Sequence, residues 1–96
     1  MAVKLSADQI KQQLAARPEW RQDGDAIHRT YVLPSFPAAL AFASTVGHLA
    51  EAADHHPDIL IQYKKVTLTL STHSEGGLTH KDFSLAAQID ALPMRP

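Results

Sequence analysis

One apolar stretch framed by prolines constrains this chain more than any other feature. Ser35-Phe36-Pro37 opens it and His55-His56-Pro57 closes it, with one glycine and no further proline between. Pro37 fits the first turn of a helix, where its missing N–H would lack a partner anyway. Pro57 disfavours helical geometry at His56. The spacing therefore predicts a long helix capped by Ser35 and running to about Asp54. Phe36, Leu40, Ala43, Gly47 and Ala50 mark one stripe of it, and Phe42, Thr45, Val46, Leu49, Ala52 and Ala53 widen the apolar surface. A stripe that broad implies burial on two sides, against the chain's own sheet and against another subunit, hence a homodimer or homotetramer.

The remaining elements are legible from local signals. Ser6 and Gln9 have capping-box spacing and Leu5 can pack on Ile10, so a short helix starts there, and Pro18 ends it near Arg17. Asp23-Gly24-Asp25 reads as a turn between strands Glu19 to Gln22 and Ala26 to Leu33. In the second strand Ile27, Arg29, Tyr31 and Leu33 alternate with His28, Thr30 and Val32, so neither face is cleanly apolar. Asp58 to Tyr63 and Val66 to Thr72 follow as strands around a Lys64-Lys65 turn, although neither lysine readily takes positive φ. After the Gly76-Gly77 loop, Thr79 and Asp82 repeat the capping logic for a last helix to about Leu92. The order α-β-β-α-β-β-α implies an α+β, two-layer fold with an antiparallel four-stranded sheet and its helices on one face.

Composition removes whole classes of function. Ninety-six residues fit a single domain, here residues 1–96. The absence of cysteine excludes disulfides, thiolate metal sites and a thiol nucleophile. Nine Lys plus Arg against ten Asp plus Glu give no electrostatic drive toward nucleic acid or anionic lipid. No apolar run approaches membrane-spanning length and the N-terminus lacks a signal-peptide core, so the expected location is cytoplasmic and not membrane-bound.

The six histidines remain. His55 and His56 are adjacent at a helix end, where the helix dipole favours imidazolium and the last carbonyls lack partners. Two imidazoles pointing different ways around one cleft can give and take protons, since imidazole titrates at about pH 6.5. The bland alternative is a histidine helix cap. His73 has the parity of Thr67, Thr69 and Ser71, which places it on the sheet face away from Val66, Leu68 and Leu70. Glu51 stands one turn before His55 and could orient it, or could be a solvated pair. Asp82 reads first as a helix-start carboxylate. His48, Glu51 and His55 share a helical face as a metal set would, yet neighbouring His55 and His56 do not easily form one chelate and no HExxH spacing occurs. A serine-nucleophile elbow and a phosphate-cradling glycine loop are both missing.

Glu51-Ala52-Ala53-Asp54-His55-His56-Pro57, then Tyr63, His73 and Asp82, resembles the signature of the pterin-4a-carbinolamine dehydratase family. Six residues separate His56 from Tyr63, nine separate Tyr63 from His73, and eight separate His73 from Asp82. Leu68-Thr69-Leu70-Ser71-Thr72-His73, Gly77-Leu78-Thr79 and the opening Leu5-Ser6-Ala7 with Trp20 add to the similarity, which covers about Leu5 to Ile89. The resemblance implies a four-stranded antiparallel sheet backed by three helices. It implies dehydration of a 4a-hydroxytetrahydropterin to the quinonoid dihydropterin, in tetrahydrobiopterin recycling beside an aromatic amino-acid hydroxylase. No metal or organic cofactor is implied, the pterin being the substrate. His55 and His73 are then acids on the leaving water, and His56 removes the N5 proton or orients the pterin. Glu51 and Asp54 orient the imidazoles, Pro57, Thr72, Ser74 and Glu75 face the pterin, and Asp82 braces the His73 loop.

Relatives often carry an aromatic two residues beyond the proline, where this chain has Ile59. Two other readings stand beside the dehydratase. Some relatives also serve as dimerisation partners of a transcription factor through the long helix, which here would rest on Phe42, Val46 and Leu49. A role in molybdopterin-related metabolism has been proposed for others.

Overall fold

Side-chain caps set all three helix starts, each contributing about 1 kcal/mol. Ser6 Oγ accepts from the Gln9 N–H at 3.2 Å while Gln9 Oε1 accepts from the Ser6 N–H at 2.9 Å. Ser35 Oγ accepts from the Ala38 N–H at 3.1 Å, with Pro37 in the first turn. Asp82 Oδ2 accepts from the Thr79 N–H at 2.9 Å, and Thr79 Oγ1 accepts from the Lys81 N–H at 3.2 Å. The computed structural model describes residues 3–93. Its elements are α1 (Ala7–Ala15), β1 (Arg21–Asp23), β2 (Ala26–Val32), α2 (Phe36–Ala53), β3 (Asp58–Gln62), β4 (Lys65–Leu70), a 3-10 turn (His73–Glu75) and α3 (His80–Asp90).

The four strands form one sheet in the order β1-β2-β4-β3, every neighbouring pair antiparallel. β4 therefore slots between β2 and β3, the two strands that α2 connects. Ile27, Tyr31, Val66, Leu68 and Leu70 are buried on one sheet face, and Ile10, Phe42, Val46, Phe83, Leu85 and Ile89 from the three helices close over it. The opposite face is open, with Thr30 and Thr67 hydroxyls 2.8 Å apart across β2 and β4 and Val32 and Leu60 exposed beside them. The expected α+β architecture and element order are thus the observed ones.

The mixed face of β2 has a specific cause. Arg29 shares the inward parity of Ile27 and Tyr31 because Asp90 of α3 meets its guanidinium at 2.9 Å. The same carboxylate accepts from Trp20 Nε1 at 3.0 Å, from Arg17 at 3.2 Å and from the Tyr31 hydroxyl. One acidic side chain thereby ties the end of α1, the segment before β1, and β2 to the last turn of α3.

Several boundaries differ from expectation. β1 begins at Arg21 rather than Glu19, because the Trp20 N–H closes a turn on the Arg17 carbonyl at 3.0 Å and the Trp20 indole turns inward to Asp90. The β3–β4 turn is Tyr63-Lys64, one residue earlier than Lys64-Lys65, since Gln62 pairs with Lys65. The required positive φ of 55° falls on Tyr63. β4 ends at Leu70, and the chain then forms the 3-10 turn closed by Gly76 at φ 70°. Phe42 and Val46 are wholly enclosed by the chain's own core and Leu49 packs at its edge, so they do not offer the free surface expected of an intersubunit patch. The outward apolar residues of α2 are Phe36 and Leu40, each 45% exposed. Among the described residues, no helix is long and apolar enough to cross a membrane.

Candidate active site

α2 stops because Asp54 adopts the left-handed conformation, φ 50° and ψ 44°. The Asp54 N–H then bonds the Glu51 carbonyl at 3.2 Å and the His55 N–H bonds the Ala50 carbonyl at 3.0 Å, the paired closure that glycine usually supplies. Aspartate tolerates this conformation better than most residues. The reversal sends His55 inward and leaves His56 at the surface.

His55 Nε2 lies 2.6 Å from Asp82 Oδ1, and Asp82 is fully buried. Asp82 Oδ2 also accepts from the Thr72 hydroxyl at 2.8 Å and from the Thr79 N–H at 2.9 Å. The Thr79 hydroxyl in turn stands 2.8 Å from that of Thr72. An ionised carboxylate only accepts, so Nε2 of His55 carries a proton and Nδ1 is the nitrogen left for a ligand. His56 Nε2 meets Glu51 Oε1 at 2.7 Å in an exposed pair. The His73 ring makes no hydrogen bond among the described residues.

These contacts correct two expectations. Glu51 partners His56 rather than His55, because an i, i+4 pair needs the helix to continue through residue 55 and it ends at Ala53. For the same reason His48, Glu51 and His55 do not converge, and no three described His, Asp or Glu side chains are arranged to hold a metal ion. Asp82 does secure Thr72, the residue before the 3-10 turn, but its most direct hold is on His55.

Two hollows flank the histidines. One, of about 400 Å³, brings His55, His56 and His73 together with Asp54, Thr72 and Ser74. Ser71 and Lys81 complete its rim. The other, of about 290 Å³, shares His56, Ser71 and His73 and adds Asp25, Ala26, Asp58 and Thr69. Glu51, Pro57 and Glu75 line neither hollow, Glu51 acting at one remove through His56. Ile59 sits opposite Leu68 in the β3–β4 ladder, hence on the helix-covered face of the sheet and away from both hollows. Tyr63, at the far end of that hairpin, is also remote.

Sequence reasoning missed Asp25, Asp58, Ser71 and Lys81. Ser71 and Thr69 share the parity of His73 and were recoverable on that ground. Asp58 becomes a neighbour through its register with Thr69, and Asp25 through the Ser71 hydroxyl, which donates to its carbonyl at 2.9 Å. Chemically, the arrangement offers three imidazoles to a small molecule, one of them fixed in a single tautomer by a buried carboxylate.

A family model described as "Pterin 4 alpha carbinolamine dehydratase" matches residues 3–92. A protein of Roseiflexus sp. (strain RS-1), provisionally named pterin-4-alpha-carbinolamine dehydratase, is 53% identical over 92 residues, 96% of this chain and 99% of its own. A protein of Chloroflexus aurantiacus (strain ATCC 29366 / DSM 635 / J-10-fl) with the same provisional name is 55% identical over 89 residues, 93% of this chain and 96% of its own. A crystal structure from Brucella melitensis, described as a transcriptional coactivator/pterin dehydratase, superposes with a TM-score of 0.87 at 32% identity, covering 92% of this chain and 96% of that one.

Proposed function

The chain belongs to the pterin 4 alpha carbinolamine dehydratase family, and we propose from that premise that its three imidazoles dehydrate a 4a-hydroxytetrahydropterin by general acid–base catalysis. The observation that carries the reading is the meeting of His55, His56 and His73 in one hollow, with His55 anchored to a buried Asp82.

The reaction breaks the C4a–O bond, releases the oxygen as water and removes the N5 proton, leaving the quinonoid dihydropterin. One proton is delivered and one is taken, so the balance closes without a metal or organic cofactor. His55 delivers its proton through Nδ1, since Asp82 engages Nε2 and stabilises the imidazolium from behind. His73, with both ring nitrogens free of the described residues, is the second acid on the leaving oxygen. His56 takes the N5 proton or orients the ring, its direction set by Glu51. Asp54, Thr72 and Ser74 line the ring's hollow, Pro57 holds the backbone after the histidine pair, and Glu75 supports the 3-10 turn rather than the substrate.

We place this activity in one cytoplasmic domain that recycles tetrahydrobiopterin beside an aromatic amino-acid hydroxylase, and in a homodimer or homotetramer. The exposed Phe36 and Leu40 of α2 support self-assembly. They equally suit a second reading, an interaction module engaging another protein through α2. A stable, active homo-oligomer in analytical ultracentrifugation favours the first; a stoichiometric copurifying partner that competes with self-assembly favours the second.

The test generates the 4a-carbinolamine with a hydroxylase and follows its decay by stopped-flow absorbance. Wild-type protein accelerates the decay, and His55→Ala and His73→Ala each slow it by about 100-fold or more while circular dichroism stays native. Decay no faster than in buffer would remove the catalytic reading.

A further inference from the structure

The second hollow shares His56, Ser71 and His73 with the catalytic one, and the residues found in it alone take no part in the proton transfers just described. A flat bicyclic ring lying across those three residues reaches into both. The two ends differ in chemistry. Asp25 and Asp58 bring acceptor-only carboxylates to one end, and neither side chain makes a hydrogen bond or ion pair among the described residues. Lys81, the only Lys or Arg on either rim among the described residues, stands at the other end.

The positions of both aspartates are fixed by the sheet. Asp58 opens β3 opposite Thr69 on the open face. Asp25 follows Gly24, whose φ of 60° makes the tight β1–β2 turn, and the Ser71 hydroxyl holds the Asp25 carbonyl at 2.9 Å. The carboxylates thus belong to a turn and a strand end that only the sheet pairing brings to one hollow.

A pterin is equally polarised. Its 2-amino group and N3–H form an amidine-like donor edge, while C4a, N5 and the C6 substituent lie toward the opposite side. We infer that the Asp25–Asp58 hollow takes the 2-amino and N3–H edge of the pterin, making these two carboxylates specificity residues; this rests on the pterin reading above. Paired N–H donors on a carboxylate form the charge-assisted, bidentate contact that gives orientation as well as affinity. The reacting C4a–N5 bond then lies over His56 and His73, and the C6 substituent extends past Ser74 and Lys81.

The test compares binding of 7,8-dihydrobiopterin with that of its dihydrolumazine counterpart, in which an oxo group replaces the 2-amino group, by titration calorimetry. Wild-type protein prefers the 2-amino compound. Asp25→Asn and Asp58→Asn each weaken its binding by about tenfold, the low end for hydrogen bonds to a charged group because both carboxylates are exposed. Binding of the lumazine, which keeps N3–H but offers no 2-amino donor, weakens less, so the preference shrinks, and in turnover KM rises with kcat intact. Equal weakening of both compounds, or of neither, overturns the inference. So does a loss confined to pterins bearing the dihydroxypropyl side chain, which would place that chain in the acidic hollow instead. A protein that shows the expected preference but does not accelerate dehydration refutes the catalytic reading alone. Unaltered binding in both variants of an active enzyme refutes only the inference.

Discussion

Replacing Asp82 by Asn keeps the shape of a fully buried side chain and removes its charge. The Thr79 backbone N–H can only donate, so the amide oxygen must stay on that side, where it also keeps the Thr72 hydroxyl. The amide NH2 is left facing His55 Nε2, now 2.6 Å from a carboxylate oxygen. Two donors cannot share that line, so Nε2 becomes the acceptor and the ring proton moves to Nδ1. An imidazolium at His55 would then face an amide donor instead of a carboxylate. The charge-assisted hydrogen bond lost is worth about 1.5–3 kcal/mol, which corresponds to a drop in kcat of about 10- to 150-fold. The fold loses far less, about 1 kcal/mol, because three hydrogen bonds persist in neutral form. Stopped-flow decay of the carbinolamine gives the rate, thermal unfolding should show a Tm lower by about 4–8 °C, and ¹⁵N spectra of the His55 ring report the tautomer. A switched tautomer with full turnover would show that His55 is no acid in this reaction. A lost rate with the wild-type tautomer would show that Asp82 acts on something other than His55.

Three further outcomes follow from the contacts described. Asp90→Ala leaves Arg29 and the Trp20 indole without their shared acceptor, and should cost about 3–5 kcal/mol in urea unfolding; a loss below 1 kcal/mol would mean water replaces the carboxylate freely. Asp54→Gly relieves a side chain from φ 50° and should leave stability unchanged or raise it by about 0.5 kcal/mol, while lowering kcat/KM because the hollow loses a carboxylate; unaltered turnover would make Asp54 a helix terminator and nothing more. Tyr63→Gly, at φ 55° on a residue that is 68% exposed, should stabilise the hairpin by about 0.5 kcal/mol; a clear loss in denaturant titration would show that the Lys64 contact with the Tyr63 ring outweighs the backbone strain.

The legible part of the site was the part encoded locally. Pro57 after a long apolar run announces a helix end, and two adjacent histidines at such an end must diverge whatever the rest of the chain does. The parity of His73 with Thr67, Thr69 and Ser71 put it on the open face, although β4 ends at Leu70 and His73 belongs to the 3-10 turn. Glu51 was assigned to the wrong imidazole for an equally local reason. Helical spacing pairs residues 51 and 55 only while the helix lasts, and left-handed aspartate is a rarer signal than glycine. The turn at Tyr63-Lys64 was missed on similar grounds, since a bulky residue gives no notice that it will adopt positive φ.

Sequence alone determined the caps, the element order and the two-layer class, and singled out the three histidines that line one hollow, because each depends on patterns within a few residues or on alternation along a strand. Tertiary structure decided which side chains meet. Inserting β4 between β2 and β3 carries Asp58 to Thr69 and Asp25 to Ser71, and packing α3 beneath the end of α2 carries Asp82 to His55. It also decided which side of α2 is spoken for: Phe42 and Val46 are consumed by the chain's own core, and Phe36 and Leu40 remain outside. Arg29 makes the same point within a single strand. A charged residue at an inward position breaks the apolar alternation, and only the approach of Asp90 from an element 61 residues away supplies the partner that lets it stay there.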